Sequence, residues 1–160
     1  MRKLFHKEST PAAAQGAYAP RSGHCVVLYD GLCRFCTLGM RRLQALARPG
    51  AIEAVDFQQP GALDRFPGIS HDACMRQMHL VLPDGRVIGG FEAAVQALAT
   101  RPILGRFAYL YYLPGLRQLC DWLYCVVAAN RYRLLGKTAG ACAGGTCALH
   151  SGLPPAGKWR

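Results

Sequence analysis

Cys25-Val-Val-Leu-Tyr-Asp-Gly-Leu-Cys33-Arg-Phe-Cys36 is the stretch that decides the fold. Val26 to Tyr29 read as a short apolar strand and Asp30-Gly31 as a turn. A helix follows, carrying Thr37, Leu38, Met40, Leu43, Leu46 and Ala47. Cys33 and Cys36 then fall in its first turn. Unpaired N–H groups and a partial positive charge stabilise a thiolate there. Such sites lower a thiol pKa from about 8.5 to roughly 3.5–7.5. Cys36 lies one turn behind Cys33 on the same face, within reach of a disulfide. The spacing predicts a redox dithiol. Cys33, nearer the helix start and expected to be the more exposed, is the candidate nucleophile, and Cys36, one turn inward, is the resolving thiol.

The neighbours of the pair have candidate supporting roles. Asp30 either takes a proton from Cys36 or organises the turn through its side chain, the commoner role for Asp before Gly. Gly31 is expected to supply a backbone geometry that other residues resist. Tyr29 borders the site or belongs to the core, and Phe35, between the cysteines, is a candidate substrate contact.

Working outward, residues 1–24 mix Pro, Ala, Ser, Gly and charge without periodicity and read as a flexible lead-in. The dithiol helix is stopped by Arg48-Pro49-Gly50. Ile52 to Phe57 alternates as a second strand, expected to pair parallel to the first through a right-handed crossover. Pro60 to Phe66 reads as a short helix, followed by a loop through Pro67-Gly68. Met78 to Leu82 and Arg86 to Ile88 flank Pro83-Asp84-Gly85, a hairpin signal. Gly89-Gly90 leads into a helix from about Phe91 to Ala99, closed before Arg101-Pro102. This gives a domain over 25–101 in the order β-α-β-(α)-β-β-α.

From 102 to 135 the pattern is helical only and reads as an extension packed on that domain. Ile103 to Leu113 is aromatic-rich, and Pro114 separates it from a longer helix. There Leu116, Leu119, Cys120, Leu123, Val127, Arg131 and Leu134 fall at helical spacing, with Arg117 and Asp121 as an i,i+4 pair elsewhere. Residues 136–160 are rich in Gly, Ala and Pro, read as a flexible tail, and contain Cys142 and Cys147.

The chain of 160 residues is long enough for one domain with a real core. Its start has no apolar run of the kind a signal peptide needs, and no segment is long enough to span a bilayer. A cytoplasmic protein is the default expectation, and there eight cysteines argue for redox or metal chemistry over a disulfide framework. Cys25, Cys74 and Cys120 read as packing, and Cys125 falls elsewhere on the last helix. The net charge of +10 is uneven. Residues 25–100 balance seven positive against seven negative side chains, whereas residues 101–160 carry eight positive against Asp121 alone. That surplus suits a solvated face, an acidic partner or an anionic membrane surface. No nucleic-acid motif accompanies it.

The order of elements, with Cys-x-x-Cys at the first helix start, resembles a thioredoxin fold. Tyr29-Asp-Gly-Leu-Cys33-Arg-Phe-Cys36 is similar to the Tyr-Asp-Gly-x-Cys-x-x-Cys signature of the DCC family of thiol-disulfide oxidoreductases, also called DUF393. Leu82-Pro-Asp-Gly-Arg86, Gly90-Phe-Glu-Ala-Ala94 and Asn130-Arg-Tyr-Arg-Leu134 are similar to further marks of that family, so the resemblance covers roughly residues 25 to 135. The chain departs from the family pattern where Leu32 replaces an acidic residue and Arg34 a proline. Arg34 adds a positive charge beside Cys33, which favours a thiolate and a more oxidising pair. Thioredoxins also place a cis-proline before the strand facing the dithiol, and this chain has no proline between Pro67 and Pro83.

The resemblance implies a thioredoxin-like α/β domain that exchanges disulfides through Cys33 and Cys36. Its substrate would be a protein or small-thiol disulfide, with no metal and no cofactor beyond the redox-active disulfide. Cys142 and Cys147 are auxiliary thiols, relay partners or loose thiols. Two rivals stand beside this reading. One is a zinc module using Cys33 and Cys36 with Cys142 and Cys147. The other is a basic interaction protein, with peripheral membrane contact left open.

Overall fold

The computed structural model describes residues 23–138. Strand β1 (Cys25–Tyr29) is central, pairing parallel with β2 (Ile52–Asp56) on one side and antiparallel with β3 (His79–Val81) on the other. β3 in turn pairs antiparallel with β4 (Val87–Gly89), giving the order β2-β1-β3-β4. Val26, Val27 and Leu28 are wholly buried. A strand covered on both faces reads as a continuous apolar run, and this one does.

The period of two sends alternate β1 residues to two separate cores. Val27 packs with Leu80 under α1 (Arg34–Leu46), which contributes Met40 and Leu43, and α3 (Gly90–Leu98), which contributes Ala93 and Ala97. Val26 and Leu28 pack on the opposite face with Val81, Phe57, Phe66, Ile69 and Cys74. Cys74 belongs to α2 (His71–Arg76), where burial pushes its thiol up to about 11. Helices on both faces of a four-stranded mixed sheet in this order make a thioredoxin-like α/β fold.

The second face holds an element absent from the expectation above. Ser70 caps α2 by accepting the Ala73 N–H at 3.2 Å. The short helix expected over Pro60 to Phe66 is a 3₁₀ turn at Ala62–Arg65. The β3–β4 hairpin closes as anticipated, with Leu82 N–H donating to Arg86 at 2.8 Å and Gly85 in the left-handed region at φ 82°.

Beyond α3, Pro102 starts α4 (Pro102–Ala108), a 3₁₀ turn spans Tyr109–Tyr112, and α5 runs from Leu116 to Leu135. Glu92 of α3 accepts Arg117 at 3.0 Å and Tyr112 Oη at 3.2 Å, and Tyr111 Oη donates to Asp121 at 2.8 Å. These bonds fix the start of α5 against α3. Its phase differs from the expected apolar stripe. Tyr124, Val127 and Arg131 face inward, while Leu116, Leu119, Leu123 and Leu134 are exposed. Cys120 is only partly buried and Cys125 is exposed.

Candidate active site at the dithiol

Cys33 is the N-cap of α1. Its backbone is extended (φ −93°, ψ 113°), and its Sγ accepts the Cys36 N–H at 3.3 Å. The helix therefore presents a donor, as well as its partial positive charge, to this sulfur. Thr37 reinforces the turn, its N–H and Oγ1 both donating to the Cys33 carbonyl at 2.9 and 3.0 Å. Both cysteines are free thiols.

The expected order of exposure is reversed. Cys33 is fully buried and Cys36 is partly exposed. The cover over Cys33 is Gly136-Lys137-Thr138, the chain leaving α5. Lys137 forms an antiparallel bridge with Cys33, Arg34 N–H donates to Gly136 at 3.3 Å, and Thr138 N–H donates to Leu32 at 3.0 Å. Thr138 Oγ1 adds a bond to the Gly31 carbonyl at 2.8 Å. These three residues form a strap across the mouth of the dithiol, although their composition belongs with the tail. Cys142 and Cys147 lie outside the described residues.

Cys36 faces α5. Burial pushes its thiol above the ordinary range, and its hydrogen bond and proximity to Cys33 push the same way. The Arg131 charge opposes that rise and the Asp30 charge adds to it. Cys36 also acts on Tyr124, whose hydroxyl burial pushes up to about 12. Tyr124 Oη accepts the Met78 N–H at 2.8 Å just before β3. Among the described residues no peptide bond is cis, so the backbone just before β3 is held by Tyr124 without a cis-proline.

Asp30 is almost fully buried, and four donors fill its carboxylate. Oδ1 accepts Leu32 N–H and Gln58 Nε2, both at 3.1 Å. Oδ2 accepts Arg131 Nη2 at 3.1 Å and the Tyr132 hydroxyl. Arg131 is itself buried and also donates to the Met75 carbonyl at 2.8 Å. Four donors exhaust a carboxylate's acceptor positions, so this arrangement organises the turn and leaves no free lone pair for a Cys36 proton. Gly31 serves a purpose other than unusual φ. Its N–H donates to Asp56 Oδ1 at 2.9 Å, and a Cβ there would fall inside the Asp56 carboxylate. Tyr29 is partly buried against the first core, Arg34 is exposed at the helix start, and Phe35 stands exposed between the cysteines.

Residues 27–137 match the DCC1-like thiol-disulfide oxidoreductase family. The chain belongs to that family. Within this member, Arg131 and Tyr132 of the late Asn130-Arg-Tyr segment are brought from the far end of α5 onto Asp30 of the first motif. No curated protein and no solved structure matches the chain. As a thiol-disulfide oxidoreductase family member it has disulfides as its implied substrates. No helix of the described residues is long and apolar enough to cross a membrane.

Asp56, Gln58, Tyr124, Arg131, Tyr132 and Thr138 were absent from the sequence-derived set. Arg131 had a signal, a charge standing in an otherwise apolar helical row, which calls for a buried counter-charge. Tyr132 had one too, its place in the late Asn130-Arg-Tyr-Arg-Leu134 mark, and the other four gave none. Among the described residues no three His, Cys, Asp or Glu side chains converge to hold a metal ion. The zinc alternative needs Cys142 and Cys147, so half of its ligand set lies outside the described residues.

Proposed function

We propose that Cys33 and Cys36 carry out dithiol–disulfide exchange, with Cys33 as nucleophile and Cys36 as resolving thiol. The observation that carries this is the Cys33 sulfur seated at the N-cap of α1, accepting the Cys36 N–H. Burial and the neighbouring sulfur favour Cys36 as the protonated partner. The Cys33 thiolate attacks one sulfur of the substrate disulfide, forming a mixed disulfide and releasing the other sulfur as a thiolate. Cys36 loses its proton, attacks Cys33 Sγ and expels the second substrate sulfur. The substrate gains two electrons and two protons, and the protein ends with a Cys33–Cys36 disulfide. The reverse sequence oxidises a dithiol substrate.

Burial of Cys33 adds a step that an open dithiol lacks. Gly136-Lys137-Thr138 must leave before a disulfide reaches the sulfur in line. Asp30, Arg131 and Tyr132 position the turn carrying Cys33, and the Arg131 charge supports the Cys36 thiolate during resolution. Phe35 is proposed as the apolar contact for substrate beside the pair.

Trapping tests the assignment. Cys36→Ser incubated with a mixed aromatic disulfide is expected to hold one substrate sulfur covalently on Cys33, located by peptide mass mapping. Cys33→Ser is expected to hold none at the motif. Trapping on Cys36 in the Cys33→Ser protein at the same rate would reverse the roles.

A further inference from the structure

We propose that the outward face of α4 and α5 seats this protein on an anionic lipid surface. The outer row of α5 is Leu116, Leu119, Trp122, Leu123, Val126 and Leu134, with exposures from 37% to 54%. No charged residue occurs between Asp121 and Arg131. A helix of 20 residues is about 30 Å long, so this apolar row is extended. Ile103, Phe107 and Leu110 on α4 and the turn after it are 73%, 67% and 50% exposed. Scattered surface leucines need no explanation, but continuous rows at helical spacing mark an interaction face.

Charge decides what covers it. Arg106 and Arg133 border these rows, are exposed, and have no carboxylate partner among the described residues. The acids in the same layer are partly exposed but already partnered. Glu92 holds Arg117 and Tyr112, and Asp121 holds Tyr111. Arg117 offsets these acids, so the unpaired charge on this rim is that of Arg106 and Arg133. An aliphatic row with an indole and bordering arginines suits a helix lying in the plane of an anionic bilayer surface. A second copy related by two-fold symmetry would set arginine rims close to one another, which disfavours it. No helix of the described residues can span a bilayer, so the contact is peripheral.

The test uses the full chain with Trp159→Phe, leaving Trp122 as its one tryptophan. It is mixed with phosphatidylcholine vesicles with and without phosphatidylglycerol. The protein is expected to sediment with the anionic vesicles only, with a blue shift of Trp122 emission. Arg106→Gln and Arg133→Gln should each weaken binding roughly five-fold. Leu123→Glu, an exposed change that leaves the fold intact by circular dichroism, should abolish it.

Absence of binding to anionic vesicles would overturn the proposal. So would binding indifferent to all three substitutions, which would place the attraction elsewhere in the chain. A lipid-free dimer split by Leu123→Glu would give the face to a second copy. Salt-sensitive binding to polyglutamate that survives Leu123→Glu, without vesicle binding, would give it to an acidic protein. The docking does not depend on the redox reading, and the Cys33–Cys36 redox transition, followed in the same variants, is expected to be unchanged.

Discussion

Arg131→Met tests the link between the two ends of the chain. The Arg131–Asp30 contact is 3.1 Å, with side chains only 7% and 1% exposed. Removing the guanidinium leaves Asp30 charged in a dry site with Leu32 N–H, Gln58 and Tyr132 as its remaining donors, and strips a donor from the Met75 carbonyl. Breaking one side of a buried pair costs about 3–5 kcal/mol. For a chain of this size that is a loss of roughly 10–15 °C in Tm. Tyr132→Phe removes one hydrogen bond to the carboxylate and is expected to cost less, about 1.5–3 kcal/mol. The double variant Asp30→Asn with Arg131→Met removes both charges, so its loss should fall short of the summed single losses by about 1–3 kcal/mol. Urea unfolding followed by circular dichroism measures these three variants and Asp30→Asn alone. A cost below about 1 kcal/mol for Arg131→Met, or strict additivity, would refute the claim that this pair holds the dithiol turn.

Further outcomes follow from the same geometry. Thr138→Ala deletes the Thr138 Oγ1 bond to the Gly31 carbonyl, worth about 1 kcal/mol, and should raise the iodoacetamide reactivity of Cys33 roughly five-fold without changing Tm by more than a few degrees. An unchanged rate would mean the strap does not control access. Gly31→Ala forces the Asp56 carboxylate away from the Gly31 N–H and should lower stability by about 1–3 kcal/mol in the same unfolding assay. A neutral effect would show that the turn relaxes freely. Burial holds His79 below its ordinary pKa of 6.5, and its Nδ1 is buried without a partner. The unfolded chain therefore takes up the His79 proton first as pH falls. Its contribution is intact above pH 6.5 and is lost below it, at up to about 1.4 kcal/mol per pH unit. His79→Gln should flatten that part of the stability profile, and an identical slope would assign it to another group.

The core of the fold was legible because its signals were local. An apolar strand, a helix stopped by Arg48-Pro49-Gly50 and a Pro83-Asp84-Gly85 hairpin each announce themselves within a dozen residues. The six-residue α2 was missed because Ser70 alone signals its start and its periodicity is too short to read. The phase of α5 was ambiguous for a physical reason. Both sides of that helix are apolar, so spacing alone cannot say whether Leu119 and Leu123 or Tyr124 and Val127 face the core. The dithiol itself was legible down to its placement at the helix start. Its burial was not, because Cys33 is covered by Lys137, and Asp30 is held by Arg131 and Tyr132, across a separation of about a hundred residues that no local pattern reports.

The most direct measurement is the redox titration of the Cys33–Cys36 pair in glutathione buffers, read by mass-tagging thiols in a chain with Cys142 and Cys147 changed to Ser. The account predicts a reversible two-electron transition that tags both cysteines together and disappears in Cys33→Ser. No transition across the accessible range in the full chain, with both thiols shielded until a chelator is added, would contradict it and identify a metal site in place of a redox centre.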